Sequence, residues 1–202
     1  MKSINDHNPI AHFQKWFYEV DTNYPAQETN AMLLSTIGLD GFPKSRIVLL
    51  KRFTWEGFIF FTNYNSEKGK AIETNNNVSI YFNWALSKRE VLISGKAEKI
   101  PENLSEGYFD SRPEGSKLSA WVSHQSEVIS SRNILENRLK AYEIKFKNKT
   151  IPKPQYWGGY IIKPCIIEFI EQDPQIGCNC TTKFKLQSDY NWSKEIRYTK
   201  AP

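Results

Sequence analysis

The chain has 202 residues, is 40% hydrophobic and 14% aromatic, and carries a net charge of +5. That length supports one packed domain and is short for two, and the composition argues for a folded globule and against disorder. No apolar run is long enough to cross a bilayer, and the opening Met1-Lys-Ser-Ile-Asn-Asp lacks the apolar stretch of a signal peptide, so a cytoplasmic protein is expected.

In chain order, Asn8-Pro9 caps and opens a helix, with Ile10, Phe13, Phe17 and Val20 at helical spacing behind it. The polar stretch 21–30, which contains Pro25, ends that helix. Residues 31–37 are apolar and β-capable, Leu39-Asp-Gly-Phe42 is a turn, and 45–53 form a second strand. A further turn at Trp55-Glu-Gly57 leads into a strand at 58–62. Ser66 caps a short helix. Strands follow at 78–84 and 89–100, and Pro101 begins a helix reaching about residue 109. Ser130 or Ser131 caps a longer helix through about 147, with Ile134, Leu135, Leu139, Tyr142 and Phe146 as its apolar stripe. Beyond the two prolines of 150–155 come strands at 157–162 and 166–171, then a last pair near 183–187 and 195–199. About seven strands in antiparallel order with helices inserted between them predict a mainly β, α+β chain built as a closed or split barrel. No repeat or linker divides it, so residues 1–202 read as a single domain.

The charge is spread along the chain with no run of five or six like residues, which favours a small phosphorylated ligand over a nucleic-acid surface. Cys165, Cys178 and Cys180 cannot all pair, and the Cys178-Asn-Cys180 string has no Cys or His cluster near enough to complete a zinc spacing. They read as reduced thiols with no metal role.

Three segments carry candidate chemistry. Arg46-Ile-Val-Leu-Leu-Lys51 puts a cation at each end of an apolar strand. In an ideal strand Arg46 and Lys51 face opposite sides, so they share a ligand only if it spans the strand edge or a bulge re-aims one of them; otherwise they are solvated strand ends. Phe61-Thr-Asn63 followed by Ser66 and Lys68 gathers hydroxyls, a helix start and a cation, which together suit an anion, although capping alone also explains Ser66. Tyr108, Arg112 and Ser116 fall at four-residue intervals, with Pro113 and Gly115 forcing a turn that can aim a guanidinium fork and hydroxyls at a phosphate.

Taken in order with Ala120-Trp-Val-Ser-His-Gln125-Ser126, Trp157-Gly-Gly159 and the terminal Ala201-Pro202, these strings resemble the pyridoxine/pyridoxamine 5′-phosphate oxidases, from about residue 10 to about residue 172. The resemblance implies an antiparallel FMN-binding split β-barrel and a homodimer with FMN at the subunit interface. It also implies oxidation of vitamin B6 phosphates by O2, and a segment of about 156–202 serving dimerisation. By position, Arg46, Ile47, Lys51, Phe61, Thr62, Lys68, Gln125 and Ser126 match residues that contact FMN. Lys51, Tyr108, Arg112 and Ser116 match those that hold the substrate phosphate. Arg46 and Lys68 would neutralise the flavin phosphate. The redox step belongs to the flavin, so the protein's task is orientation, and no residue is singled out as catalytic.

Four departures from the family pattern stand out. Glu67 occupies a position usually held by Arg, and Glu90 one usually held by Gln, where a carboxylate could face the flavin ring. After Glu168-Phe169, the expected Trp and Arg-Leu-His-Asp-Arg give way to Ile170 and, depending on register, to Ile176, Cys178 and Cys180 or to the stretch 179–183, in which Lys183 is the one cation. The basic N-terminal arm of the family is also missing. Two alternatives follow from these changes: a flavin oxidase of the same fold with another substrate, as in phenazine biosynthesis, or a non-catalytic protein that binds FMN or pyridoxal phosphate.

Overall fold

The structure, a computed structural model, describes residues 8–123, 125–173, 175 and 177–200. Ile176, Ala201 and Pro202, invoked above, lie outside these residues.

Asn8 begins the first helix as expected: its side-chain oxygen accepts from the backbone N–H groups of Ile10 and Ala11, and Pro9 takes the first helical position in α1 (Pro9–Asn23). The strands are β1 (Ala31–Ile37), β2 (Pro43–Leu49), β3 (Arg52–Thr54) and β4 (Gly57–Asn63), then β5 (Asn77–Trp84), β6 (Arg89–Lys99), β7 (Trp157–Asp173), β8 (Cys178–Leu186) and β9 (Trp192–Lys200). The remaining helices are α2 (Glu67–Thr74), α3 (Glu102–Asp110), α4 (Glu114–Val122) and α5 (Arg132–Phe146). Every strand pairing is antiparallel.

The sheet runs β2-β1-β5-β6-β7-β4-β3, with β8 added to β7 and β9 to β8. Its two ends are the same stretch of chain. Residues 43–49 pair with β1 and residues 52–54 with β4, while between them Leu50 N–H donates to Asn30 O and Lys51 N–H to Ile59 O. The sheet thus curls until one kinked strand serves both edges, which makes a split barrel. The single strand expected over 45–53 is two, and the break is the irregularity that two like-facing cations require.

Alternation sorts the two faces. Met32, Leu34 and Thr36 of β1 are buried while their neighbours are only half-covered. The interior is closed by α1, whose Phe13 is fully buried with its ring centroid 4.8–5.8 Å from those of Phe17, Phe53, Phe58, Phe82 and Trp84. Truncating such a ring to alanine costs on the order of 3–5 kcal/mol.

Two further expectations change. Strands expected at 157–162 and 166–171 are one 17-residue strand, β7. Pro164 does not end it because it faces Gly95 where the register shifts, a bulge that needs no ladder hydrogen bond there. A Cβ on Gly95 would lie 2.2 Å from Lys163 O, so only glycine allows this approach. The turn expected at Pro113 and Gly115 is confined to the junction of two helices: Pro113 precedes the first residue of α4 and breaks it from α3, and Gly115 lies inside α4.

Candidate functional site

The kink at residues 50–51 turns the end of β2 toward the end of β4 and the start of α2. All eight residues expected to contact the cofactor, Arg46, Ile47, Lys51, Phe61, Thr62, Lys68, Gln125 and Ser126, line one cavity of about 570 Å³. Two of the four substrate-phosphate candidates, Lys51 and Arg112, line it as well. Tyr108 instead borders an adjoining cleft of about 360 Å³, which shares Lys51 and Phe61 with the first. Ser116 lies in the first turn of α4 and lines neither cavity. The expected phosphate clamp is therefore split by the Phe61 and Tyr108 rings, which stack at 4.0 Å.

Among the described residues, none of the cavity's cations Arg46, Lys51, Lys68 and Arg112 makes an ion pair with a carboxylate. Lys68 is 6% exposed, and its Nζ donates to Thr62 Oγ1 at 3.4 Å. Burial lowers its pKa to about 8, with Arg46 pushing the same way and Glu67 opposing. Arg46 donates through Nη1 to Thr36 Oγ1 at 2.7 Å and to Lys44 O at 2.8 Å, both neutral, and burial lowers its pKa too. A buried ammonium beside a guanidinium, with no acid to pair either, costs free energy that an anion would return. The start of α2 adds backbone donors, since Ser66 caps it by accepting from Gly69 N–H. A doubly charged phosphate fits this donor set.

The strap after α4 is tied across the cavity. Thr62 Oγ1 donates to Gln125 Oε1 at 3.1 Å, and Glu67 N–H donates to Ser126 Oγ at 3.2 Å. Ser126 holds φ at +74°, a left-handed conformation that costs a non-glycine residue on the order of 1 kcal/mol. Local strain here places two side chains on the cavity wall.

Further residues complete the lining: Ser119, which the sequence did not single out, and Asn63, Ser123 and Trp157, which appeared only within longer strings and without a role. Trp157 was visible only as part of a Trp-Gly-Gly string. The Arg112 guanidinium lies 4.7 Å from the Trp157 ring centroid and 5.4 Å from that of Phe109. Its Nη1 is buried with no acceptor. An orphaned donor costs about 1–3 kcal/mol and each stacking contact returns about 0.5–2, so the free arrangement is near balance. The glycines have a steric reason: a Cβ on Gly158 would lie 2.2 Å from the Tyr64 hydroxyl, and one on Gly159 would lie 2.9 Å from the Phe61 ring.

The departures are placed as follows. Glu67 lines the cavity, but its carboxylate pairs with Lys44 at 3.0 Å, and Lys44 also pairs with Asp40 at 2.9 Å. Glu90 lies on the sheet face that carries Tyr81, whose pKa rises to about 12 through burial and a hydrogen bond to Glu90; it does not line its own chain's cavity. Lys183 pairs with Glu168 at 2.9 Å. Cys178 and Cys180 lie on β8 as free thiols, with Tyr198 directly opposite Cys180, and none of the described residues from 170 to 183 lines the cavity. Among the described residues, no group of three or more Cys, His, Asp or Glu gathers in a metal-binding cluster.

Fold and cavity together define a split β-barrel with a cationic pocket at the kink of its shared strand. The family model described as pyridoxamine 5′-phosphate oxidase matches residues 23–146. The pyridoxine/pyridoxamine 5′-phosphate oxidase of Flavobacterium johnsoniae is 54% identical over 188 residues, covering 93% of this chain and 87% of that protein. The protein of the same name from Nostoc sp. is 44% identical over 187 residues, covering 93% and 86%. Among solved structures, PhzG from Burkholderia lata, in complex with tetrahydrophenazine-1-carboxylic acid, superposes with a TM-score of 0.89 at 21% identity, covering 98% of each chain. A pyridoxamine 5′-phosphate oxidase-related, FMN-binding protein from Nostoc punctiforme superposes with a TM-score of 0.71 at 13% identity, covering 92% of this chain and 95% of that one. The chain belongs to the pyridoxamine 5′-phosphate oxidase family.

Proposed function

We propose that this chain is an FMN-dependent oxidase that converts pyridoxamine or pyridoxine 5′-phosphate to pyridoxal 5′-phosphate with O2 as electron acceptor. The observation that carries the reading is the convergence of Arg46, Lys51, Lys68, Gln125 and Ser126 on one cavity, where the buried Lys68 and the half-buried Arg46 make no ion pair among the described residues. Arg46, Lys68 and the start of α2 hold the FMN phosphate, while Ile47, Phe61, Thr62, Gln125 and Ser126 form the walls. Bound there, FMN supplies two-electron oxidation. Lys51 stands between the cavity and the adjoining cleft and, with Arg112, Tyr108 and Ser116, anchors the substrate phosphate, so that binding energy from a remote group fixes the reacting carbon. Tyr108 and Ser116 must turn inward for that clamp to assemble.

The active unit in this reading is a cytoplasmic homodimer of single-domain subunits. One row across the outer sheet face supports it: Ile47, Leu33, Tyr81 and Leu92 are directly cross-paired, and the row continues through the ion-paired Glu168 and Lys183. Ile47, 65% exposed, belongs to both this face and the cavity wall, so a second copy seated here would also border the pocket. Strands β7, β8 and β9, which make up most of the described part of the segment 156–202, belong to the same sheet.

The test is O2-dependent formation of pyridoxal phosphate from pyridoxamine phosphate by the FMN-loaded protein. No turnover with flavin demonstrably bound would sink the assignment. The altered segment, with Ile170 in place of the family's Trp and, in the ungapped register, Ile176, Cys178 and Cys180 in place of its Arg, His and Arg, favours a second reading as an oxidase of another substrate. That reading predicts turnover of an unphosphorylated ring compound and none of pyridoxamine phosphate.

A further inference from the structure

Arg112 is the charged group of the cavity whose surroundings least resemble an ordinary binding arginine. Among the described residues it has no ion pair, one of its amino groups is buried without an acceptor, and it rests over two aromatic rings. Arg112 is also one of the residues that line the cavity. The larger of the two rings is itself fixed. Trp157 is 7% exposed and its backbone is held at both ends of the residue, the backbone N–H donating to Pro154 O at 3.0 Å and the carbonyl accepting from Lys153 Nζ at 3.0 Å. Lys153, its side chain 5% exposed, pairs in turn with Glu102 at the start of α3, the helix that leads to Arg112. The Tyr108, Phe61 and Trp157 rings lie within 17° of parallel, so the platform is one ordered stack.

We propose that Trp157 is a positioning residue for the substrate anion: its ring face holds the Arg112 guanidinium at the cavity wall in place of a carboxylate. A carboxylate would fix the fork just as well, but it would occupy the in-plane N–H donors and cancel the charge. A ring face supports the guanidinium from below its plane and leaves the cavity-facing donors for an incoming phosphate. This rests on the reading of the ligand as a phosphate ester. It extends that reading by naming a residue that acts through Arg112 and need not touch the ligand.

The test is a double-mutant cycle on the FMN-loaded protein, with pyridoxal 5′-phosphate titrated by calorimetry. Trp157→Leu is expected to weaken binding about tenfold, and Trp157→Phe, which keeps a ring face, by less than about threefold. In an Arg112→Ala background Trp157→Leu should cost almost nothing further. Equal losses in both backgrounds, or no loss in Trp157→Leu, would overturn the proposal. A separate measurement needs no ligand: the Arg112 Nε–Hε resonance of the wild-type protein should be displaced upfield by the ring current. An undisplaced resonance overturns the platform even if Trp157→Leu does not fold. A displaced resonance in a protein that fails to bind pyridoxal phosphate overturns the phosphate-ester reading and leaves the platform standing.

Discussion

An ammonium group buried beside a hydroxyl and a second cation is held below its ordinary range, and for Lys68 that places the titration at about 8. A bound phosphate favours the charged form and raises that value again. The sign follows: FMN binds with full strength below pH 8, where Lys68 is already protonated, and more weakly as pH rises and binding must take up a proton. Between pH 7 and 9 the affinity should fall by up to about tenfold, read by flavin fluorescence quenching. Lys68→Met should bind more weakly at both pH values with a flatter profile, and equal pH slopes in the two proteins would show that Lys68 is not the group responsible. At this scale the sequence was informative where residue type alone carries the chemistry, as for Arg46, Lys51 and Lys68. It was silent on Trp157, because a tryptophan before two glycines reads equally well as core. It also could not show that Glu67 turns to Lys44, since that pairing depends on two strands and a helix meeting.

Helix α1 seals the barrel through aromatic contacts, and one of them titrates. The His12 ring stacks on Phe169 at 4.2 Å and meets Trp16 edge-on, while its Nε2 is buried without a partner. Burial lowers its pKa from 6.5 to about 4, with Lys194, Lys15 and Arg89 adding to the shift and Glu171 opposing it. A depressed folded-state value means that the neutral ring stabilises the fold above pH 6.5. That contribution, on the order of 2 kcal/mol, is lost as pH falls from 6.5 toward 4. His12→Phe keeps the stacking and removes the titration, so its urea midpoint should decline less between pH 7.5 and 5 than the wild-type midpoint. Equal declines would place the acid sensitivity elsewhere. Elements with a local signal, such as α1 with its cap and apolar spacing, could be read directly from the chain. The break in residues 43–54 and the continuity of β7 through Pro164 could not, because both are decided by partner strands distant in sequence.

For the whole molecule, the outer sheet row from Ile47 to Leu92 is the surface with most to gain from a partner. Burying such half-exposed side chains is worth roughly 25 cal/mol per Å² of apolar area. Leu92→Lys places a charge in the middle of the row without touching the barrel interior. We expect sedimentation to show a dimer for the wild-type protein and a monomer for this variant, with unchanged far-ultraviolet circular dichroism. A wild-type monomer would rule out the proposed assembly. The barrel itself was foreseeable from the order of turns and strands, whereas the outer row emerges only once the register is known.

The doubly used stretch of residues 43–54 also bears on the chain's synthesis. β1 can claim residues 43–49 early, but β4 needs the far downstream β7 beside it, and β7 begins with Trp157. A ribosome-bound chain that has not yet emitted β7 therefore carries Arg46 and Lys68 without an enclosing wall. In the proposed reading cofactor capture then follows the synthesis of Trp157, and flavin quenching by a nascent chain is expected only after β7 has emerged.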